Sequence, residues 1–397
     1  MSSFGAGTSA NIRVSRRFVQ SRRLPLCENQ SLHKQSNFRL LVVRLGAMGD
    51  ILHALPAVTA LRQAHPDWTI DWVVDPRWQA LLKAGNRDKG TGIRDEGVCV
   101  GGERGPAQPL VDRIHFAPAK EWGRRPFSME TLREIRTLRR SLRAGGYDAV
   151  LDVQGAIRSA VIARFAGSRR VIGESDPREH AARWLFTERV ATQGAHVIEQ
   201  DVELASAVAG DALAPETPLL PVDPDCEAWC EEVLPAAAAP AVLMNPGAGW
   251  GAKRWPPERY AVVAQGLVER GLIVLINTGP GEEPLAQVIV SATGGAARQL
   301  APTLGQLIAL TRRVALCISG DSGPLHLACA VGRPVVGIYG PTDPSRNGPF
   351  GTRFKVLRNP LSRRDHTRRA EPESGLLTIQ PDEVLRAADE LLAEETA

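Results

Sequence analysis

From residue 38 onward, short apolar runs alternate with longer stretches in which apolar residues recur every three or four positions. Residues 38–46 and 69–76 have the length and composition of buried strands, and residues 49–66 between them follow a helical pattern. The alternation returns at residues 129–143, which favour a helix, and at residues 147–155, which favour a strand. Strands that alternate with helices predict a parallel sheet with helices on both faces.

A second series of the same kind occupies the C-terminal half of the chain. Residues 241–249, 272–281, 314–323 and 334–344 each predict a strand that ends in a turn rich in glycine or proline. Residues 381–395 follow the pattern of an amphipathic helix that closes the chain. Together the two series predict an α/β protein built from two Rossmann-like units in tandem.

Changes in composition mark the boundaries of these units. Residues 1–37 carry six basic residues against a single acid and lack the apolar segment of a secretory signal. They predict a disordered basic tail, with a transit peptide as the alternative. Residues 38–215 form the predicted N-terminal domain, which includes a glycine-rich flexible insertion at 85–108. A proline-rich linker at 216–224 leads to the predicted C-terminal domain at 225–397.

The overall composition narrows the class of protein. The 397 residues are 43% hydrophobic and 23% charged, which is typical of soluble globular proteins and excludes collagen-like, fully disordered and membrane-spanning classes. The net charge of +4 does not predict nucleic-acid binding. The six cysteines form no CxxC motif, so the sequence indicates neither a zinc site nor a disulfide framework, and a reducing cytoplasm fits best.

The first candidate site follows the first predicted strand. Residues 46–50 (GAMGD) place two glycines and then Asp50 at the start of a helix, at the edge where open α/β sheets bind ligands. Asp50 either satisfies free N–H groups of the helix or acts as a carboxylate that accepts a proton at the mouth of a cleft. The dinucleotide fingerprint GxGxxG is missing, so an NAD site that uses Asp75 is the weakest hypothesis.

Two strand ends in the second series suit a phosphate group. Residues 245–255 (NPGAGWGAKRW) form a glycine-rich loop that becomes cationic at Lys253, without the spacing of a Walker A loop. Residues 319–326 (SGDSGPLH) open a helix whose free N–H groups can bind an anion. The candidate residues in this second motif are Asp321, Ser322, Gly323 and His326. The alternatives are a solvated loop in the first case and an ordinary capped helix in the second.

Two further strand ends carry acids. Glu282 or Glu283 lies at the end of a parallel strand and can accept hydrogen bonds from a ribose diol, although a solvated face explains both residues equally well. Asp343 is more typical of a residue that caps a turn.

These motifs, in this order, resemble glycosyltransferase family 9. The resemblance spans residues 38 to about 350 and rests on GAMGDILHALPAVTALRQAHP, TIDWVVDPRW, YDAVLDVQGAIRSA, NPGAGWGAKRWPPERY and SGDSGPLHLACAVGRPVVGIYGPTDP. The most similar branch is that of the ADP-heptose:lipopolysaccharide heptosyltransferases, type I in particular. The resemblance implies the GT-B fold, in which two Rossmann-like domains with parallel sheets face each other across a cleft.

The resemblance also implies a reaction and residue roles. It implies an inverting, metal-independent transfer of heptose from ADP-heptose to a lipid-linked saccharide such as the lipopolysaccharide inner core, with no cofactor beside the donor. Asp50 resembles the general base. The residues that resemble a donor site are Lys253, Glu282 (or Glu283), Asp321, Ser322, Gly323 and His326. The segment WGRRPFS and the helix after DVQG resemble acceptor-binding parts, which places Arg124, Arg125 and Arg158 near acidic sugars.

Basic residues also cluster between positions 124 and 143 of the N-terminal domain. They fit either a solvated helix face or a surface that meets anionic lipid head groups, as expected of a cytoplasmic enzyme peripheral to the membrane. Two other functions stay open at this point. One is a nucleotide-sugar epimerase of the same fold, and the other is a non-catalytic protein that binds a nucleotide-sugar.

Overall fold

The computed structural model describes residues 37–83, 109–236, 239–365, 367 and 369–394. The predicted insertion at 85–108 lies outside the described residues, as does the predicted tail at 1–37 except for its last residue. Within the described residues the chain forms two six-stranded parallel sheets, one from each predicted series.

The first sheet has the strand order of a doubly wound nucleotide-binding fold. Its strands are β1 (Arg39–Val43), β2 (Thr69–Val74), β3 (Arg113–Phe116), β4 (Ala149–Asp152), β5 (Arg170–Glu174) and β6 (Glu188–Val190). They run in the order β3-β2-β1-β4-β5-β6. β1 is buried over residues 40–43 because β2 and β4 pair with its two edges. The chain order reverses between β1 and β4, so a ligand crevice is expected beside the carboxyl end of β1.

The second sheet repeats this arrangement. Its strands are β7 (Ala241–Asn245), β8 (Ile273–Asn277), β9 (Arg298–Leu300), β10 (Leu316–Gly320), β11 (Val335–Tyr339) and β12 (Phe354–Arg358). They run in the order β12-β11-β10-β7-β8-β9. The reversal falls between β7 and β10, and both strands are buried along their whole length. The loops that follow β7 and β10 therefore flank the second crevice.

Helices connect the strands of both sheets. Those of the N-terminal half are α1 (Met48–Ala64), α2 (Ala119–Arg124), α3 (Met129–Gly145), α4 (Ile157–Phe165) and α5 (Val197–Ala209). Those of the C-terminal half are α6 (Pro224–Val233), α7 (Pro257–Glu269), α8 (Glu283–Ala292), α9 (Leu304–Arg313), α10 (Gly323–Ala330), α11 (Pro344–Asn347) and α12 (Pro381–Ala393). α1 and α3 confirm the helices predicted at 49–66 and 129–143. None of the helices in the described ranges is long and apolar enough to cross a bilayer.

The two halves meet at the starts of α1 and α10. A Cβ atom added to Gly49 would lie 2.8 Å from the ring of His326, and one added to Gly323 would lie 2.6 Å from the sulfur of Met48. Separations this short are below what close packing allows, so Gly49 needs the hydrogen side chain of glycine beside the His326 ring, and a side chain at Gly323 would have to displace Met48. The close approach brings the ligand-binding edges of the two sheets together.

Candidate active site

Asp50 lies in the first turn of α1, directly after β1. Its Oδ2 accepts a hydrogen bond from the backbone N–H of Ala47 at 3.0 Å, and its Oδ1 lies 3.4 Å from Nη2 of Arg44. The side chain is still 31% exposed. Asp50 therefore stabilises the start of the helix and also presents a carboxylate at the edge between the two halves, so the two interpretations drawn from its sequence position are compatible.

Arg44 is a residue of this site that belongs to none of the predicted motifs. It lies at the end of β1, is buried, and donates from Nη1 to the backbone oxygen of Val153. The neighbouring backbone N–H of Leu45 donates to Oε1 of Gln154 at 2.8 Å. The DVQG turn thus anchors the segment that precedes Asp50. A lone arginine at the end of an otherwise apolar run was the signal that could have revealed it.

On the other half, Lys253 and Asp321 form a buried ion pair across the second crevice. Nζ of Lys253 lies 2.5 Å from Oδ2 of Asp321 and 4.3 Å from the ring centre of Trp250. Nε2 of His326 lies 3.2 Å from Oδ1 of Asp321. Burial alone would raise the pKa of Asp321, but the hydrogen bond from His326 and the charge of Lys253 hold this pKa well below its usual value. Lys253, predicted to hold phosphate, therefore already has an anionic partner.

A histidine pair links this cluster to the N-terminal half. Nε2 of His53, on α1, lies 3.1 Å from Nδ1 of His326, on α10. Because Asp321 is ionised, Nε2 of His326 donates to it. Burial, with the nearby charges of His326 and His196, lowers the pKa of His53 well below its usual value. His53 is thus neutral near pH 7, and a continuous polar chain runs from α1 to Asp321.

His196 makes a second contact between the halves. It precedes α5, where its Nδ1 accepts the backbone N–H of Ile198 at 3.2 Å. Its Nε2 lies 3.1 Å from the backbone oxygen of Gly348, to which it donates. Neither His53 nor His196 stands out in the sequence, because a single buried histidine in an apolar helix or at a helix start is usually structural.

The start of α10 differs from the ordinary capped helix that was the alternative interpretation. The hydroxyl of Ser322 lies 2.9 Å from that of Ser319 and makes no capping hydrogen bond to the helix. The carboxylate of Asp321 pairs with Lys253 and His326. Within the described residues no side chain caps the N-terminus of α10, which begins at Gly323. Its first N–H groups remain suited to an anion.

The structure distinguishes between Glu282 and Glu283, the two residues predicted to bind a ribose. Oε2 of Glu282 accepts the backbone N–H of Gly279 at 2.9 Å, and its carboxylate lies against Gly247, where an added Cβ would be 2.0 Å from Oε1. Glu282 therefore lies where β7 and β8 end. Glu283 is the first residue of α8 and is exposed. The geometry favours Glu282, and its contact with ribose stays a prediction.

The three predicted acceptor arginines lie apart from this cluster. Arg124 and Arg125 end α2, Arg158 lies in the first turn of α4, and all three are exposed. They follow β3 and β4 at the sheet edge that also carries Asp50. No hydrogen bond or ion pair joins them to Asp50 or to the 319–326 turn in the part of the chain that the structure describes. Their role in acceptor binding stays a prediction.

Two other aspartates serve local structure. Asp75 accepts the backbone N–H of Arg77 at 3.2 Å and pairs with its guanidinium at 2.8 Å. Asp343 caps α11 by accepting the backbone N–H of Ser345 at 3.0 Å. Both carboxylates accept hydrogen bonds within the turns in which they lie, as the sequence pattern indicated for Asp343.

Known proteins resemble this chain in both sequence and fold. Lipopolysaccharide heptosyltransferase 1 of Escherichia coli K12 is 28% identical over 336 residues, which cover 81% of this chain and 94% of that protein. A glycosyl transferase family 9 structure from Veillonella parvula superposes with a TM-score of 0.72 at 20% identity, over 90% of this chain and 97% of that one. The E. coli heptosyltransferase WaaC with ADP-2-deoxy-2-fluoro heptose gives a TM-score of 0.68 at 25% identity, over 89% and 99% of the two chains.

The fold likeness confirms the GT-B architecture of two Rossmann-like units. Residues 135–376 match the sequence profile of glycosyltransferase family 9 (heptosyltransferase). This match spans more than half of the chain and includes the 319–326 turn, Lys253 and Glu282. The chain therefore belongs to glycosyltransferase family 9 and is a glycosyltransferase.

Proposed function

We propose that the protein transfers heptose from ADP-heptose to a saccharide of lipopolysaccharide, with inversion at the anomeric carbon and without a metal ion. The named activity of the E. coli relative and the ADP-sugar bound to WaaC support this choice of donor and acceptor. The observation in this chain that carries the proposal is the close approach of the start of α1, which carries Asp50, to His326, which binds Asp321 of the Lys253–Asp321 pair. The contact of His53 with His326 links the two across the interface between the halves.

The donor side has the charges that a leaving diphosphate requires. Lys253 supplies one positive charge, and the uncapped start of α10 supplies backbone N–H groups and the positive end of a helix dipole. Such preorganised groups stabilise negative charge as it develops in the transition state. Glu282 lies at the adjacent strand ends, where its free carboxylate oxygen can accept a hydrogen bond from the ribose of ADP.

On the acceptor side the proposed base is Asp50, one residue after Gly49, where the two halves meet. The acceptor hydroxyl oxygen attacks the anomeric carbon from the face opposite the diphosphate, and the bond from that carbon to the phosphate oxygen breaks. ADP leaves with the electron pair of this bond, and Asp50 takes the proton of the hydroxyl. A single displacement of this kind inverts the configuration. Arg124, Arg125 and Arg158 would orient the anionic acceptor from the rim of the same sheet edge.

The identity of the donor can be tested by ligand-induced stabilisation. We expect ADP to raise the melting temperature of the protein and ADP-heptose to raise it further, whereas UDP, GDP and NAD have little effect. A ligand that binds only the folded state adds about 2.7 kcal/mol at a hundredfold excess over its Kd, which a thermal-shift titration detects. The transfer assay itself is then run on lipopolysaccharide lacking heptose, with and without EDTA, and the product's anomeric configuration is read by NMR.

Each outcome of these measurements has a definite meaning. Stabilisation by UDP or GDP in place of ADP would show that the donor carries a different nucleotide. Loss of activity in EDTA would overturn metal independence, and a retained configuration would overturn inversion. Conversion of the donor without an acceptor would identify an epimerase, and tight donor binding without turnover would identify a binding protein.

The proposal includes a peripheral contact with an anionic membrane, since the acceptor is lipid-borne. Between residues 120 and 143 the chain has eight basic residues against three acidic ones. Within this stretch Phe127 is 91% exposed and Met129 is 61% exposed, beside the exposed arginines Arg124 and Arg125. Exposed apolar side chains flanked by cations suit the boundary between lipid head groups and acyl chains. This segment lies at the edge that carries Asp50.

We expect the double variant Phe127→Ser/Met129→Ser to bind anionic vesicles at least about tenfold more weakly, because burying a large apolar side chain contributes roughly 1.5–3 kcal/mol. The measurement is co-flotation with vesicles of phosphatidylglycerol and phosphatidylethanolamine. Leu361→Ser is the matched control, since Leu361 is 88% exposed in the C-terminal half. Equal flotation of the double variant and the unaltered protein would refute this contact.

A further inference from the structure

The loop that carries Lys253 is held by a later part of the same half. Lys253 ends a short 3₁₀ turn, and the 369–379 segment, which leads into α12, pairs with that turn. The backbone N–H of Ala252 donates to the backbone oxygen of Arg369 at 3.1 Å, and the backbone N–H of Glu373 donates to the oxygen of Ala252 at 3.1 Å. The residue before Lys253 is therefore bound in both directions by one segment.

The same segment also binds the chain just after Lys253. Trp255 is buried, and its Nε1 donates to the backbone oxygen of Ile379 at 3.2 Å. Ile379 and Leu376 belong to the hydrophobic core that includes buried residues of the second sheet. The segment thus anchors both flanks of Lys253 to this core.

Two residues make this anchoring specific. Gly251 lies so close to the segment that an added Cβ would be 1.6 Å from the backbone oxygen of Ala370, so a side chain there would force the two backbones apart. Oε2 of Glu373 accepts the hydroxyl of Ser362 at 3.0 Å and the backbone N–H of Leu376 at 3.2 Å. Glu373 thus holds the segment in the shape in which its own N–H reaches the loop.

This inference rests on the proposed role of Lys253 in binding the donor diphosphate. We propose that the 369–379 segment is a positioning element of the donor site, with Glu373 as its main positioning residue, and that it holds the ammonium of Lys253 at the phosphates. Lysine is a point charge on a flexible stem, so its side chain alone fixes little. Backbone that is fixed on either side of it reduces the freedom lost when the diphosphate binds. Loosening the segment should therefore weaken binding of the diphosphate and leave binding of the nucleoside unchanged.

The test is calorimetric titration of Glu373→Ala with ADP, with adenosine as a competitor that measures binding of the nucleoside alone. We expect ADP to bind about three- to tenfold more weakly, which is part of the loss expected when the charge of Lys253 is removed. Adenosine should bind as it does to the unaltered protein. Glu373→Gln keeps an oxygen that can accept both hydrogen bonds, so its affinity for ADP should be normal. Glu371→Ala is the matched control, since it removes an exposed carboxylate from the same segment.

A double substitution shows whether the segment acts through Lys253. In the Lys253→Met background, adding Glu373→Ala should weaken ADP binding no further, because the cation that the segment positions is already missing. Additive losses in the double variant would overturn the proposal. Equal losses of ADP and adenosine affinity in Glu373→Ala, as a merely structural role would produce, or normal ADP affinity in that variant would also overturn it.

Failure of this inference can be told apart from failure of the proposed function. If Lys253→Met itself binds ADP normally, the phosphate role of Lys253 fails, and this inference fails with it. If Lys253→Met loses affinity while Glu373→Ala keeps it, only the role of the segment fails. Gly251→Ala, which separates the segment from the loop, provides the same measurements if Glu373→Ala does not fold.

Discussion

Replacing Asp50 by asparagine should lower turnover by about 10²–10⁴, because the acceptor hydroxyl loses the base that takes its proton. Asparagine keeps an oxygen that can accept the N–H of Ala47, so the start of α1 should stay intact. Affinity for ADP should change little, since the groups proposed to bind the donor belong to the other half. Turnover of a heptose-deficient acceptor and calorimetric titration with ADP measure the two effects separately.

Asp50→Ala separates the chemical role from the structural one. Alanine removes both the base and the capping oxygen, so we expect the same loss of turnover and, in addition, a loss of about 0.5–2 kcal/mol in the free energy of unfolding. Asp67→Ala, an exposed aspartate in the turn after α1, controls for the substitution itself. An Asp50→Asn enzyme with near-normal turnover would exclude Asp50 as the base.

The second large effect is expected at Lys253. Lys253→Met keeps the aliphatic stem but removes the charge, so we expect ADP to bind roughly ten- to a hundredfold more weakly, given about 1.5–3 kcal/mol for a hydrogen bond to a charged group. Turnover should also fall, because the leaving diphosphate loses a stabilising cation. The variant should be less stable as well, since Asp321 keeps its buried charge without its nearest partner.

Adding Asp321→Asn to Lys253→Met separates the loss of affinity for ADP from the loss of stability. In the double variant Lys253→Met/Asp321→Asn no buried charge is left unpaired, so most of the lost stability should return. The affinity for ADP should remain low, because the cation is still missing. If the double variant regains normal affinity for ADP, the weak binding of Lys253→Met came from the unpaired Asp321, and Lys253 has no direct role with the phosphates.

Much of the site could be predicted because its residues follow buried strands. Asp50, Lys253 and Asp321 come after β1, β7 and β10, the strands on either side of the two reversals in chain order, and motif spacing alone identifies such positions. The choice between Glu282 and Glu283 could not be made in this way. One residue along a helix start turns the side chain by about 100°, and only the observed start of α8 fixes which carboxylate lies at the strand ends.

The contacts between distant parts of the chain were beyond prediction from one sequence. His53 and His326 are separated by 273 positions, and Lys253 and Asp321 by 68. Each of these residues has an ordinary local explanation as a core or surface group.

The contact at Gly49 and Gly323 has a consequence for how such an enzyme can diversify. The proposed donor groups all belong to the C-terminal half, and the proposed base and acceptor arginines all belong to the N-terminal half. A hybrid that joins halves from two relatives could thus inherit its sugar from one parent and its target from the other. The contact between the halves at Gly49 and Gly323 limits such an exchange. Both parents should keep glycine at these two positions, because a methyl group at Gly49 would meet the ring of His326 and one at Gly323 would have to displace the side chain of Met48.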